Sequence, residues 1–406
     1  MISCSVQLLA QKPKTDLFLE TLLKKYPQNF GSILQDRDSL RVQIIYTQID
    51  RDAHNKPSFK NYYFNVNGNN YFYPASTVKM PVAALALQKL HELRIPGLDK
   101  NSTMITESGY NGQACVLNDP TAHDGRPTVS QYVKKIFLVS DNDAFNRLYE
   151  FLGQDYINER LAKMGYEDAE IVHRLQISLS PDENRHCNPI NFFDANGKLL
   201  FRQPMQSSHQ EFAQRNDFVG KAYFQNAALI NHPMDFSQKN RISLQDLHNI
   251  LMSLIFPNAV AKKQRFYLTG DDYTFLYQYM SQYPAETKYP SYDTLANRDA
   301  YCKFLYWGSD TGRLPKNIRI FNKVGDAYGF LTDVSYFVDF DKKIEFMLSA
   351  SIYCNKDGIL NDDKYDYDDV GFPFMKQLGR VIYEYESKRE KQFLPDLFEF
   401  KMQYDK

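Results

Sequence analysis

Three short stretches of this 406-residue chain carry side chains that could do chemistry together. The first is Ser76-Thr77-Val78-Lys79. Residues three apart share one face of a helix, so this spacing sets a primary amine beside a hydroxyl too weakly acidic to attack a carbonyl unaided. An amine kept neutral would accept the hydroxyl proton, and a helix N-terminus would favour the negative charge that develops on the attacked oxygen. The second stretch is Ser140-Asp141-Asn142 and the third Lys323-Val324-Gly325. Taken alone, each has an ordinary reading: Ser76 as a helix N-cap, Lys79 as a surface lysine, Ser140-Asp141-Asn142 as a turn between helices.

The elements that must position these residues can be read from periodicity. Leu17, Phe18, Leu22 and Leu23 predict a first helix between Thr15 and Tyr26, closed by Pro27. Arg41 to Ile49 and Ser58 to Val66 are β-rich runs around a polar turn and predict a hairpin. From Ser76 to Leu93 the sequence is apolar on several faces, the mark of a central buried helix in which Pro81 is tolerated because it lies near the start. A helix over Val129 to Val139 ends at the second motif, and two more end near Gly153 and Gly165. The stretch 185–240 is polar, aromatic and aperiodic, which predicts long loops. Ser243 to Phe256 is an amphipathic helix with Ser243 as its cap. Strands over Ile318 to Val324, Thr332 to Asp339 and Ile344 to Tyr353, then a helix over Phe372 to Lys388, close the fold. This order predicts an α+β domain over 15–390, its antiparallel sheet built from N- and C-terminal strands and packed on a mostly helical lobe, with an insertion at 185–240 and a tail at 391–406.

With this context, the motif set resembles the S-x-x-K, S-D-N and K-T-G set of class A β-lactamases and penicillin-binding proteins. The resemblance implies Ser76 as nucleophile and Lys79 as base, its pKa lowered by burial and by the second ammonium of Lys323. It further implies Ser140 as proton relay to the leaving group, Asn142 as holder of a substrate carbonyl, and the backbone N–H groups of Ser76 and of Asp326, next to Gly325, as oxyanion hole. The sequence departs from the family pattern in three places. Val324 stands where a hydroxyl residue helps bind a substrate carboxylate, and Asp326 adds a negative side chain beside it. The family's β-lactamases also carry a glutamate on an Ω-loop, four residues before an asparagine. Counting back from Asn184 puts Ser180 at that place, with Asp182 or Glu183 as substitutes if the register shifts.

Composition narrows the function classes. With 48 Lys+Arg against 49 Asp+Glu, the chain lacks the basic excess of a nucleic-acid binder, and no apolar run is long enough to span a membrane. Val6 to Gln11 resembles the end of a secretory leader, so residues 1–14 are expected to be a leader and the protein to be exported to a periplasm or the outside. That would remove Cys4 and leave Cys115, Cys187, Cys302 and Cys354, as two disulfides or four thiols, without zinc spacing. His173, His186 and Cys187 satisfy no ligand rule, and the acidic run from Asn361 to Asp369 lacks the glycine and terminal glutamate of a calcium loop. No metal or other cofactor is expected. The resemblance implies a serine hydrolase acting on an amide, β-lactam or ester carbonyl of a small-molecule or peptidoglycan-like substrate. The alternatives are a D,D-peptidase, an esterase, or a binding protein that no longer turns over.

Overall fold

The computed structural model describes residues 14–405. The leader-like stretch, with Cys4, lies outside the described residues. Five strands form the main sheet: β1 (Gln43–Arg51), β2 (Pro57–Phe64), β3 (Ile318–Ala327), β4 (Phe330–Asp339) and β5 (Ile344–Tyr353). Their order is β3-β4-β5-β1-β2, antiparallel throughout, so the C-terminal meander pairs with the N-terminal hairpin through β5 and β1. Every residue of β4 and β5 is buried. Strands that read as continuous apolar runs need cover on both faces, and here they have it. Leu331, Phe337, Phe346 and Leu348 pack against helices α1 (Leu17–Lys24), α2 (Pro27–Gln35) and, at the other end of the chain, Phe372–Lys388. Val334, Tyr336 and Met347 face the larger core of the helical lobe.

That lobe is built around α3 (Lys79–Leu93), buried at every position from Lys79 to Leu90. Around it lie α4 (Val129–Val139), α5 (Asn142–Leu152), α6 (Gln154–Met164), α7 (Leu244–Ile255) and α8 (Gly270–Ser281), and Phe372–Lys388 is α9. The α+β architecture is the one expected. Four details differ. Pro27 does not merely end the first helix; it occupies the first turn of α2, where its missing N–H costs nothing. Helix α8 has no counterpart in the periodicity reading: Tyr273, Phe275, Tyr277 and Tyr279 alternate as in a strand. A capping box overrides that pattern: Asp272 N–H donates to Thr269 Oγ1 at 3.2 Å, and Thr269 N–H to Asp272 Oδ2 at 2.9 Å. The stretch 185–240 forms short strands rather than loops alone, among them Ile190–Phe193 paired with Thr103–Thr106 and Leu199–Gln203. The tail is also part of the core: Phe400 is fully buried among Phe256, Tyr277, Phe321 and Tyr336. Cys115, Cys187, Cys302 and Cys354 are free thiols.

Candidate active site

The three motifs meet where α3, the α4–α5 turn and β3 converge. Ser76 lies in a tight helical turn, Ala75–Val78, that leads into α3, so Lys79 becomes the first residue of a buried helix. The turn is held by Thr77, whose N–H and Oγ1 both donate to Pro74 O, at 3.0 and 2.7 Å. Ser140 ends α4 with a left-handed φ of 60°, which reverses the chain into α5. Asp141 then caps α5 by accepting from Ala144 N–H at 2.7 Å, a structural task.

Lys79 is the hub. Its Nζ lies 2.7 Å from Ser76 Oγ, 2.7 Å from Asn142 Oδ1 and 3.3 Å from Ser140 Oγ, and it donates to the Ser140 carbonyl. The Ser140 carbonyl and Asn142 Oδ1 can only accept. A neutral amine has two N–H groups and one lone pair, so the two carbonyl oxygens consume the N–H groups and the lone pair is left for a hydroxyl. Burial holds the Lys79 pKa well below its ordinary 10.5, and the Lys323 charge lowers it further. Lys323 Nζ donates to Ser140 Oγ at 2.8 Å and to Val324 O at 2.9 Å, and its own pKa is pushed down to about 8, chiefly by burial. Ser140 Oγ therefore sits between two amines.

Gly325 allows β3 to approach the Ser76 turn. A Cβ at this position would lie 2.6 Å from Pro74 O, 2.9 Å from Thr77 N and 3.0 Å from Ser76 N. No other residue fits without opening the gap between the strand and the Ser76 turn. The strand is thereby brought close to the Ser76 N–H, one of the donors that a helix start leaves free.

The loop that follows α6 corrects the sequence reading. Ser180, Asp182 and Glu183 do not join the cluster. Ser180 caps the short helix Pro181–Arg185, and Glu183 answers it, accepting from Ser180 N–H and Oγ, both at 2.8 Å. Asp182 accepts from Tyr110 Oη at 2.8 Å. The loop side chain that does reach the cluster is Gln176, whose Oε1 accepts from Asn142 Nδ2 at 2.6 Å. Three buried groups set this register. Asn146 brackets Leu175, donating to its carbonyl at 3.0 Å and accepting from its N–H at 2.8 Å. Asn184 Oδ1 accepts from Arg174 N–H at 2.9 Å, and Arg174 Nε pairs with Glu150 at 2.8 Å, both side chains 2% exposed. Residue 176 follows directly on this anchor with a left-handed φ of 61°, and it remains exposed while its side chain reaches Asn142.

Beside Ser76 lies a cavity of about 280 Å³ lined also by Ser140, Asn142, Val324 and Asp326. Its far wall comes from a stretch that sequence reasoning left unassigned, with Arg298, Tyr301, Cys302 and Phe304. A cleft of about 700 Å³ at the other end of α3 offers no comparable chemistry: Lys89 there is spent on two carbonyls and Gln203, and Glu92 on Arg160 and Tyr156. Among the described residues no group of His, Cys, Asp and Glu has the geometry to hold a metal ion, and no helix is long and apolar enough to cross a membrane.

Comparison with known proteins adds to this geometry. No curated protein matches the sequence. Among solved structures, a β-lactamase from Desulfarculus baarsii is similar over 89% of this chain and 98% of its own, at 13% identity and a TM-score of 0.48. A structure of PBP-A is similar over 93% and 100%, at 15% identity and a TM-score of 0.49. The sequence model of a family described as the beta-lactamase enzyme family matches residues 30–385, which include all three motifs and most of the chain, so this protein belongs to the beta-lactamase enzyme family.

Proposed function

We propose that the protein is a serine hydrolase that forms an acyl-enzyme on Ser76. One observation carries the reading: Lys79 Nζ is 2.7 Å from Ser76 Oγ while its other close partners are pure acceptors, in an environment that disfavours the ammonium. In this reading Lys79 takes the Ser76 proton as Oγ attacks the substrate carbonyl, and the backbone N–H groups of Ser76 and Asp326 stabilise the oxyanion. The C–X bond then breaks, and the proton passes through Ser140 to the leaving group, with Lys323 holding the Ser140 hydroxyl in place. Water hydrolyses the ester in a second step. Substrates are small molecules or peptides with a reactive amide, β-lactam or ester carbonyl. The same reading keeps the expected site of action outside the cytoplasm.

Gln176 favours slow turnover over rapid β-lactam hydrolysis. A carboxamide accepts a hydrogen bond but takes no proton from water, so the second step lacks the general base that would normally contribute about 10²–10⁴-fold. An acyl-enzyme, once formed, is then released slowly, as in a penicillin-binding protein. Intact-mass measurement after exposure to a β-lactam and to a fluorophosphonate tests the proposal. The expected result is one adduct per chain that disappears in Ser76→Ala and forms at least 100-fold more slowly in Lys79→Ala. Adduct formation at wild-type rate in Ser76→Ala refutes it.

A further inference from the structure

The cavity beside Ser76 contains a charge without a partner. Asp326 follows Gly325 on β3, is exposed to the cavity, and among the described residues its carboxylate makes no hydrogen bond or ion pair. Its side chain is exposed where it lines the cavity, and the surrounding protein raises its pKa by desolvation. Its two cationic neighbours, Lys323 and Lys79, are committed elsewhere, to Ser140, Val324, Ser76 and Asn142. Arg298 lines the same cavity but is not among the charges that Asp326 feels. The titratable groups that do feel Asp326 include the Tyr301 phenol and the Cys302 thiol. Tyr301 and Phe372 add aromatic walls to the cavity. A carboxylate without a partner that shares a cavity with aromatic rings is complementary to an organic cation.

Ser140, the residue proposed to return the proton to the leaving group, lines the same cavity. We propose that the preferred substrates carry a cationic leaving group, an ammonium or quaternary ammonium, and that the Asp326 side chain reads it. This rests on the acyl-enzyme reading above. It reverses the usual demand for an anion at this place, which Val324, lacking a hydroxyl, is ill suited to meet. The competing role for Asp326 is to offset the charge of Lys323 and so tune Lys79. That role would act on every substrate alike, whatever its leaving group.

Two phenylacetyl esters of the same shape separate the two: the choline ester, and the 3,3-dimethylbutyl ester in which carbon replaces the charged nitrogen. The full chain and its Asp326→Asn variant are compared by the ratio of kcat/KM for the two esters, with Ser76→Ala as reference. The ratio should fall roughly tenfold in Asp326→Asn, the size expected for loss of one charge contact to the cation. If both esters slow by the same factor, or neither changes, Asp326 does not read a cation and the inference is overturned while the acyl-enzyme reading stands. If Ser76→Ala cleaves both esters as fast as wild type, or wild type cleaves neither, the acyl-enzyme reading fails for these substrates and the inference falls with it.

Discussion

Replacing Gln176 by glutamate tests both the proposed second step and the loop register. The two side chains have the same length and shape, and the left-handed backbone at this position is unchanged by the swap. In wild type, contacts of 2.6, 2.7 and 2.7 Å run from Gln176 Oε1 through the Asn142 amide to Lys79 Nζ and on to Ser76 Oγ. A carboxylate at 176 keeps one oxygen on Asn142 Nδ2 and turns the other, now an acceptor where Nε2 could only donate, toward the water side of the nucleophile. General-base help of about 10²–10⁴-fold corresponds to about 3–5 kcal/mol off the deacylation barrier. The added negative charge also stabilises the Lys79 ammonium and so reduces the fraction able to act as base, which slows acylation. The two steps should therefore move in opposite directions.

The assay is intact-protein mass at intervals after mixing with a β-lactam, which gives adduct formation and loss separately. Wild type should show a lasting adduct. Gln176→Glu should form it more slowly and lose it at least 100-fold faster. Ser180→Glu is the matched control, since that side chain caps Pro181–Arg185 and makes no contact with the cluster. Equal adduct lifetimes in wild type and a folded Gln176→Glu would refute the reasoning, as would a shortened lifetime in Ser180→Glu alone.

Three further outcomes follow from the same geometry. The acylation rate should rise with pH as Lys79 loses its proton, then fall above about pH 8 as Lys323 loses the charge that holds Ser140; Lys323→Arg, charged throughout, should abolish the falling limb in stopped-flow labelling. Gly325→Ala should cost about 10²–10³-fold in acylation, read by fluorophosphonate labelling with circular dichroism as the fold check, because the new Cβ forces β3 away from the Ser76 N–H. His248 is buried between Thr47 Oγ1 and Ser349 Oγ with its pKa lowered to about 3, so the unfolded chain takes up a proton below its ordinary 6.5 that the folded chain refuses. The stability this neutral histidine contributes is present above pH 6.5 and lost as pH falls toward 3, which amounts to about 2–3 kcal/mol by pH 4.5. His248→Gln should shrink the difference between urea unfolding free energies at pH 7 and pH 4.5 by that amount.

What could be read from the sequence was what local pattern determines. The hairpin, the buried helix after Ser76, the meander containing Lys323 and the helix Phe372–Lys388 all follow from period and capping within a few neighbours. The registers that depend on distant partners could not be read this way. Counting back from Asn184 points to Ser180 only if Asn184 is a spacing mark; its side chain instead clamps Arg174, ten residues earlier and two before Gln176. The polar residues Asn146, Glu150 and Arg174 were the available signal, since such groups are buried only when they hold something in place. Arg298, Tyr301 and Cys302 lie in an aperiodic stretch that only tertiary packing brings to Ser140.

The hydrogen-bond count at Ser140 ties these observations to a direction of proton flow. Lys323 donates to Ser140 Oγ at 2.8 Å, which fixes that oxygen as an acceptor and leaves its single hydrogen free to point elsewhere. Lys79 Nζ is 3.3 Å away, too long for a strong bond in the resting state, when its lone pair faces Ser76. In the proposed reaction, once Lys79 has taken the Ser76 proton it has three N–H groups and only two carbonyl acceptors among its closest partners. The third N–H must turn to an oxygen, and Ser140 Oγ is the one within reach once Ser76 Oγ is bonded to the acyl group. The Ser140 hydrogen is then displaced into the cavity toward the leaving group. In the proposed mechanism Lys323 acts by denying Ser140 any other arrangement, and removing its charge should impair leaving-group departure even where Lys79 still deprotonates Ser76.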